Sequence, residues 1–403
     1  MANTNLKPKI RFIGFEGDWE NFPLKSVAKY RNGKAHENEI DKNGKYIVVN
    51  SKFVSTDGDI KKYSNNQIEP LYSNEIAFVL SDVPNGRALA RTFLVPENSK
   101  YTLNQRIAGI TPNEEINTYY LYTRLNRNPY FLQFDDGAKQ TNLSIDDVLE
   151  YSDYYPSIME QKKIGLYLEN LDSLITQHQN KYDKLKTIKK ACLEKMFPKE
   201  GQKVPEIRFN GFTEPWEQCK LGDMARFSKG NGYSKSDLQD QGTPIILYGR
   251  LYTKYEFAIT EVDTFVSEKP GSVISNGGEV IIPASGETAE DIARAATVEN
   301  KGIILGGDLN IVHPGEELIS QFLSLVISNG TVQKELASKA QGKSVVHIHN
   351  SDIEKVTVNF PNLAEQGKIV QTFKELDHLI TLHQRELQKL KNIKKALLEK
   401  MFV

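Results

Sequence analysis

The chain has 403 residues, 39% hydrophobic and 26% charged, with 51 basic against 52 acidic side chains and a net charge of −1. Such a composition describes folded domains, two or three by length, and excludes a disordered chain. No stretch approaches the roughly 20 apolar residues that cross a bilayer, and the near-neutral charge means that any nucleic-acid contact must come from local patches.

The polar opening Met1–Lys9 predicts no secretory leader, and a cytoplasmic location is expected. Cys192 and Cys219 lie in unrelated contexts and predict neither a disulfide framework nor a zinc site.

In chain order, residues 1–155 form a first mixed domain. Apolar, β-branched runs at Tyr46–Val49 and Ile76–Leu80 predict strands, and one amphipathic helix is expected from Asn117 to Phe134. Residues 156–200 hold a single long helix and a linker, because Pro198 to Pro205 carries the breakers Pro198, Gly201 and Pro205. Residues 201–360 repeat the mixed pattern, with strands near Ile245–Leu247 and Val280–Ile282 and a helix near Glu317–Lys339. Residues 361–403 are a second long helix.

The chain states its frame twice. Ile10-Arg11-Phe12-x-Gly14-Phe15-x₃-Trp19-x₄-Leu24 returns at an offset of 197 as Ile207-Arg208-Phe209-x-Gly211-Phe212-x₃-Trp216-x₄-Leu221. Glu160-Gln161-x-Lys163-Ile164 through Lys195-Met196-Phe197 returns at an offset of 205 as Glu365-Gln366-x-Lys368-Ile369 through Lys400-Met401-Phe402, with 23 identities over 38 positions. The stretches between these blocks hardly match. Large aromatic side chains bury much area, so Trp19 and Trp216 are assigned to core packing. The Ile-Arg-Phe blocks are expected to pair each domain with the end of a long helix.

Both helices carry a seam at alternating spacings of three and four. It runs Leu168, Leu171, Ile175, His178, Tyr182, Leu185, Lys189, Cys192, Met196 and again Phe373, Leu376, Ile380, His383, Leu387, Leu390, Lys394, Leu397, Met401. Thirty-eight residues span about 57 Å at ~1.5 Å each, and the twin helix is the natural partner. An antiparallel pair is expected, giving an internal pseudo-two-fold repeat. His178 and His383 serve to fix register, and the stems of Lys189 and Lys394 lie along the seam with their ammonium groups in solvent. The lysines toward the C-terminal ends of both helices complement the helix dipole.

Short motifs that suggest catalysis fail on context. Ala337-x₄-Gly342-Lys343-Ser344 fits a loose phosphate-loop pattern, but a helix leads in and β-branched residues follow, the reverse of what phosphate binding needs. Asn128-Pro129-Tyr130-Phe131 resembles a base-holding tetrapeptide of amino-methyltransferases, yet no glycine-rich strand–loop–helix accompanies it. His347 and His349, flanking Ile348 on an expected strand, are two ligands without a third.

The duplicated Ile-Arg-Phe-x-Gly-Phe-x₃-Trp block and the Glu-Gln-x-Lys-Ile helix openings resemble one family. So do the loops Gly137-x₅-Leu143-Ser144 and Gly342-x₅-Ile348-His349 that precede the helices. The resemblance, over essentially the whole chain, is to the DNA-specificity subunit of type I restriction–modification systems. It implies an α+β fold: two mixed α/β target-recognition domains joined by two long antiparallel coiled-coil helices.

It further implies a non-catalytic subunit that reads a bipartite, asymmetric site on double-stranded DNA. Two methyltransferase subunits dock on it and bring S-adenosylmethionine; the presence of two motor-endonuclease subunits, with ATP and magnesium, stays open. No cofactor is expected on this chain. Two unlike inserts on like frames suit a non-palindromic site, since a homodimer reads a palindrome.

Direct readout favours Arg, Lys, Asn, Gln and Ser on loops that reach a groove, and Tyr or His beside them. In the first domain this selects Lys34, Asn85, Arg87, Arg106, Lys139, Gln140 and Asn142. In the second it selects Lys229, Asn231, Tyr233, Arg250, Ser275, Asn276, Lys343, Ser344 and His347. Residues Leu171, Ile175, His178, Tyr182, Leu185, Leu376, Ile380, His383, Leu387 and Leu390 are the expected helix-pair seam. The alternatives are a protein–protein scaffold built on the coiled coil, or an autonomous methyltransferase or ATPase resting on the short motifs.

Overall fold

The computed structural model describes residues 7–342 and 345–403 and divides into two compact units. The first comprises Met1–Gln179 with Arg385–Val403, the second Asn180–Gln384. Each unit therefore takes half of each long helix, Ile158–Lys195 and Leu363–Lys400, and both divisions fall at the same position of the 205-residue repeat.

In the first unit a four-stranded antiparallel sheet has the order Ala28–Asn32, Ile107–Pro112, Ile76–Val79, Thr92–Leu94. A three-stranded sheet sets Tyr46–Val49 between Tyr63–Ser64 and, in parallel, Tyr101–Leu103. Every residue of Ile76–Val79 is buried, which explains its unbroken apolar run.

The expected helix over Asn117–Phe134 is two, Thr118–Leu125 and Pro129–Leu132. Asn117 and Asn128 each cap one through the side chain, and Arg127 between them is left-handed at φ 53°. The residue before a proline resists helical geometry, so Asn128-Pro129 ends one helix and starts the next.

In the second unit a five-stranded sheet runs Ala225–Lys229, Leu309–Pro314, Glu279–Pro283, Ala296–Val298, Ala258–Ile259. A three-stranded sheet places Thr243–Ile246 between Phe265–Val266 and, in parallel, Ile304–Leu305. The helix expected over Glu317–Lys339 is also two, Ser320–Ile327 and Gly330–Ser338, parted at Gly330 with φ 60°.

The repeated blocks weld each unit together. Arg11 donates two 2.7 Å hydrogen bonds to the carboxylate of Glu160, and Arg208 does the same to Glu365. The Ile10 amide donates to the carbonyl of Lys400 at 2.9 Å, as the Ile207 amide does to Lys195. Gln161 and Gln366, buried at the helix starts, donate to the carbonyls of Pro156 and Pro361 and accept from the amides of Asn117 and Ile319. Lys163 and Lys368 lie over the rings of Phe12 and Phe212.

The Met-Phe helix ends are core residues. Phe402 packs edge-on against Trp19 in the first unit and Phe197 against Trp216 in the second. Both tryptophans are 1% exposed.

Along the helices, every seam position in both segments is buried or half-buried, whereas Leu174, Ile188, Leu379, Leu382 and Ile393 off the seam are exposed. Within the first unit Asp172 pairs with Lys394 while Glu160 lies at the Ile10–Lys400 end, so the two segments run antiparallel. Within the second unit Lys189–Asp377 and the Lys195–Ile207–Glu365 end show the same sense. The ammonium groups of Lys189 and Lys394 thus end on carboxylates rather than in open solvent. A charge partly withdrawn from water gains more from a facing carboxylate than a fully exposed one does.

Candidate nucleic-acid interface

The central strand of the first sheet continues through Leu80 into the short strand Ser81–Asp82, which pairs antiparallel with Thr141–Asn142. The Leu80 amide donates to the carbonyl of Arg106, and the Leu143 amide to the carbonyl of Leu80. Gln140 donates through its side chain to the Ser81 hydroxyl at 2.9 Å. Asn85, left-handed at φ 53°, donates from its backbone to Asp135 and from its amide to the Gly137 carbonyl. Asp82 is turned inward, accepting the amides of Val83, Ala88 and Leu89, which closes the loop that carries Asn85 and Arg87.

One edge therefore gathers Asn85, Arg87, Arg106, Lys139, Gln140 and Asn142. Lys34 joins from the neighbouring strand, its amide donating to Leu103 at 3.0 Å and its ammonium 2.9 Å from Glu69. The Arg87, Arg106 and Lys139 side chains are exposed and form no ion pair among the described residues. Positive charge on loops at a sheet edge suits both phosphate contact and base readout.

The second unit repeats the frame. Glu279–Pro283 continues through Ala284 into Ser285–Gly286, paired with Val346–His347. Ala284 donates to the carbonyl of Asp308 and Ile348 to that of Ala284. Exposed His347 faces Ser285 in that register, Lys229 faces Asn310, and Asn231 donates to Leu305 by its backbone and to Gly271 by its amide. Tyr233 lies beside this edge; its hydroxyl meets Ser272 and accepts the Lys269 amide, which fixes the 267–272 loop.

Two candidates, Arg250 and Ser275, have their side chains held by neighbouring carboxylates, while Asn276 is bonded through its backbone only and its side chain is exposed. The Arg250 guanidinium, 8% exposed, is held by Asp263 at 2.7 Å and Glu256 at 2.9 Å. Lys254 first, and Arg250 with it, hold the Asp263 carboxyl down to about 2. Ser275 is 2% exposed and donates to Glu279 at 2.6 Å, and the Asn276 backbone donates to the same carboxylate, at the start of the strand whose far end carries Ser285.

Lys343 and Ser344 lie outside the described residues. The strand expected through His349 stops at His347; His349 instead precedes the helix Asn350–Ile353, so the two rings do not share a strand face. Cys192 and Cys219 are half-buried against the second unit's core, and among the described residues no group of three or more His, Cys, Asp or Glu side chains could hold a metal. No described helix is long and apolar enough to cross a membrane.

Asp308, absent from the sequence-selected residues, is the positional counterpart of Arg106, its carbonyl accepting from Ala284 as that of Arg106 accepts from Leu80. A signal for the shared frame was present, since the 197-residue offset extends past Leu24 and Leu221 to Ala28 and Ala225, and to Gly33 and Gly230. A Cβ on either glycine would lie 2.0 Å from the Asn104 carbonyl oxygen or 1.9 Å from that of Gly306. These close approaches fix where each turn sits.

The model for the type I restriction modification DNA specificity domain matches residues 16–187 and 213–392. The type I restriction enzyme MjaVIII specificity subunit of Methanocaldococcus jannaschii is 21% identical over 94% of this chain and 91% of its own. A putative type I specificity subunit of Haemophilus influenzae, S.HindORF215P, is 23% identical over 94% and 92%. The solved structure of a type I restriction–modification S subunit from M. genitalium shares the fold, with a TM-score of 0.67 at 16% identity over 98% of this chain and 99% of that one. With two matched segments covering most of its length, the chain belongs to the type I restriction–modification DNA specificity family, and sequence-specific DNA recognition is its role.

Proposed function

We propose that this chain is the non-catalytic DNA-recognition subunit of a cytoplasmic type I restriction–modification assembly, and that each mixed domain reads its own half of an asymmetric, interrupted site. The observation that carries the reading is one backbone frame used twice with different side chains at its loop edge. Lys34, Arg87, Arg106 and Lys139 stand on one copy; Lys229, Asn231, Asp308 and His347 stand on the other. Unlike edges cannot read the same sequence, so the site has no internal symmetry.

Methyl transfer then belongs to partner methyltransferase subunits carrying S-adenosylmethionine, two for a two-headed chain. Restriction, where present, belongs to motor-endonuclease subunits using ATP and magnesium. Exposed apolar residues on the outer faces of the helices, Met159, Leu166, Tyr167, Leu379 and Leu382 among them, support docking there.

The test is reconstitution. The purified chain alone should transfer no methyl group to DNA, while addition of its methyltransferase partners should give adenine methylation at one interrupted motif. Methyl transfer by the chain alone would sink the reading.

A further inference from the structure

Both units contain a three-residue turn of equal length between equivalent strands, Asn104-Gln105-Arg106 and Gly306-Gly307-Asp308. Five backbone hydrogen bonds at and around each turn recur in both units. Asn104 donates to Val49 as Gly306 does to Ile246; Lys34 to Leu103 as Asn231 to Leu305; Gly33 to Ile107 as Gly230 to Leu309. Leu80 donates to Arg106 as Ala284 does to Asp308, and Leu143 to Leu80 as Ile348 to Ala284. The strand-to-strand frame around the turn is shared; its third residue changes from a guanidinium to a carboxylate, and only Asp308 takes a left-handed backbone there.

Both side chains are exposed, and neither enters an ion pair or side-chain hydrogen bond among the described residues. Asp308 is left-handed at φ 58°, directly after two glycines. Glycine fits that conformation without strain, so a side chain there is kept at a cost. A carboxylate on a DNA-facing turn is repelled by phosphate, and its favourable partner is an amino group at a base edge. A guanidinium at the same place matches guanine O6 and N7 with two parallel donors.

We propose that this turn is a base-reading element in both mixed domains: Arg106 reads guanine and Asp308 accepts from the amino group of cytosine, so that each specifies one G·C pair in its own half-site. The proposal rests on the DNA-recognition reading above. It adds a residue that composition would exclude from a DNA interface, and it divides the two readouts between the half-sites.

The experiment maps methylated adenines in a host free of adenine methylation that expresses the full chain with its methyltransferase partners. Arg106→Ala should relax one G·C position in one half-site, and Asp308→Gly one G·C position in the other, each with roughly a ten- to hundredfold loss of discrimination. Glycine keeps the left-handed turn, and Asp308→Asn, of the same shape, should shift preference at that position toward A·T, because an amide pairs with adenine.

Retention of the other half-site and the spacer reports a folded chain. An unchanged motif, a uniform drop across sequences as expected of a phosphate contact, complete loss of methylation in Asp308→Gly and Asp308→Asn alike, or both changes falling in one half-site overturns the proposal. A wild-type chain that directs no interrupted motif fails the broader reading instead.

Discussion

Arg11 and Arg208 show what a repeated residue is for. Each guanidinium, 14% and 11% exposed, faces a carboxylate only 1% exposed. Removing one partner strands a buried charge, so Glu365→Ala should lower the stability of the second unit by about 3 kcal/mol, read by denaturant unfolding. Loss under 1 kcal/mol would mean that the pair is not needed to hold that segment. Phe402→Ala removes a ring that contacts Trp19, Tyr120 and the Arg124 guanidinium, and should cost about 3–5 kcal/mol.

Tyrosines give the first unit a defined pH response. Burial pushes Tyr30 and Tyr122 up to about 12, and raises Tyr120, Tyr151 and Tyr155 as well. An unfolded tyrosine ionises near 10, so below that value both states hold the proton and stability is intact. As pH rises from about 10 to 12 the unfolded chain releases protons that the folded one retains, and stability falls. Denaturant midpoints flat from pH 7 to 9.5 and dropping beyond 10 are expected; a midpoint insensitive to pH 11 would contradict the burial of these rings.

Residue roles were legible where the repeat pointed to them: Trp19 and Trp216 are core, and the Ile-Arg-Phe blocks do pair with helix ends. Loop composition does not separate residues free to meet a base from those held by their neighbours. Arg250 and Ser275 sit in polar stretches, yet a carboxylate thirteen residues from one and four from the other captures them. Asp308 was invisible because its surroundings share almost no letters with those of Arg106, and the match exists in backbone hydrogen bonds alone.

Elements with strong periodicity emerged from sequence almost whole. The two long helices begin and end within three residues of their expected bounds, because a seam kept over four heptads leaves little choice. The two shorter helical runs read as continuous in sequence because apolar periodicity persists across Asn126–Asn128 and Ser328–Gly330, while capping and a left-handed residue break the backbone. At the turn, Gly33→Ala or Gly230→Ala would drive a methyl group into a carbonyl oxygen. Either should cost about 1–3 kcal/mol and weaken recognition of one half-site only, checked by unfolding and by methylation mapping. Two equally affected half-sites would show that the turn is not local to one readout.

Removal of one heptad from residues 178–195 and another from 383–400 preserves the seam and takes about 10 Å from each helix. If helix length sets the separation of the two half-sites, the tolerated spacer should shorten by about three base pairs with both half-site sequences unchanged. An unchanged spacer would free helix length from that role.

For the whole molecule, composition was silent and layout was informative. A net charge of −1 gives no sign of a DNA partner, whereas two unlike inserts in one repeated frame predict two unlike readouts. Family membership rests on matches that span both copies.

The most direct measurement is single-molecule mapping of methylated adenines in DNA from a methylation-free host that expresses this chain with its methyltransferase partners. A single interrupted motif with two different half-sites, absent when this chain is omitted, is the predicted result. A palindromic or uninterrupted motif, or methylation that persists without the chain, would contradict it.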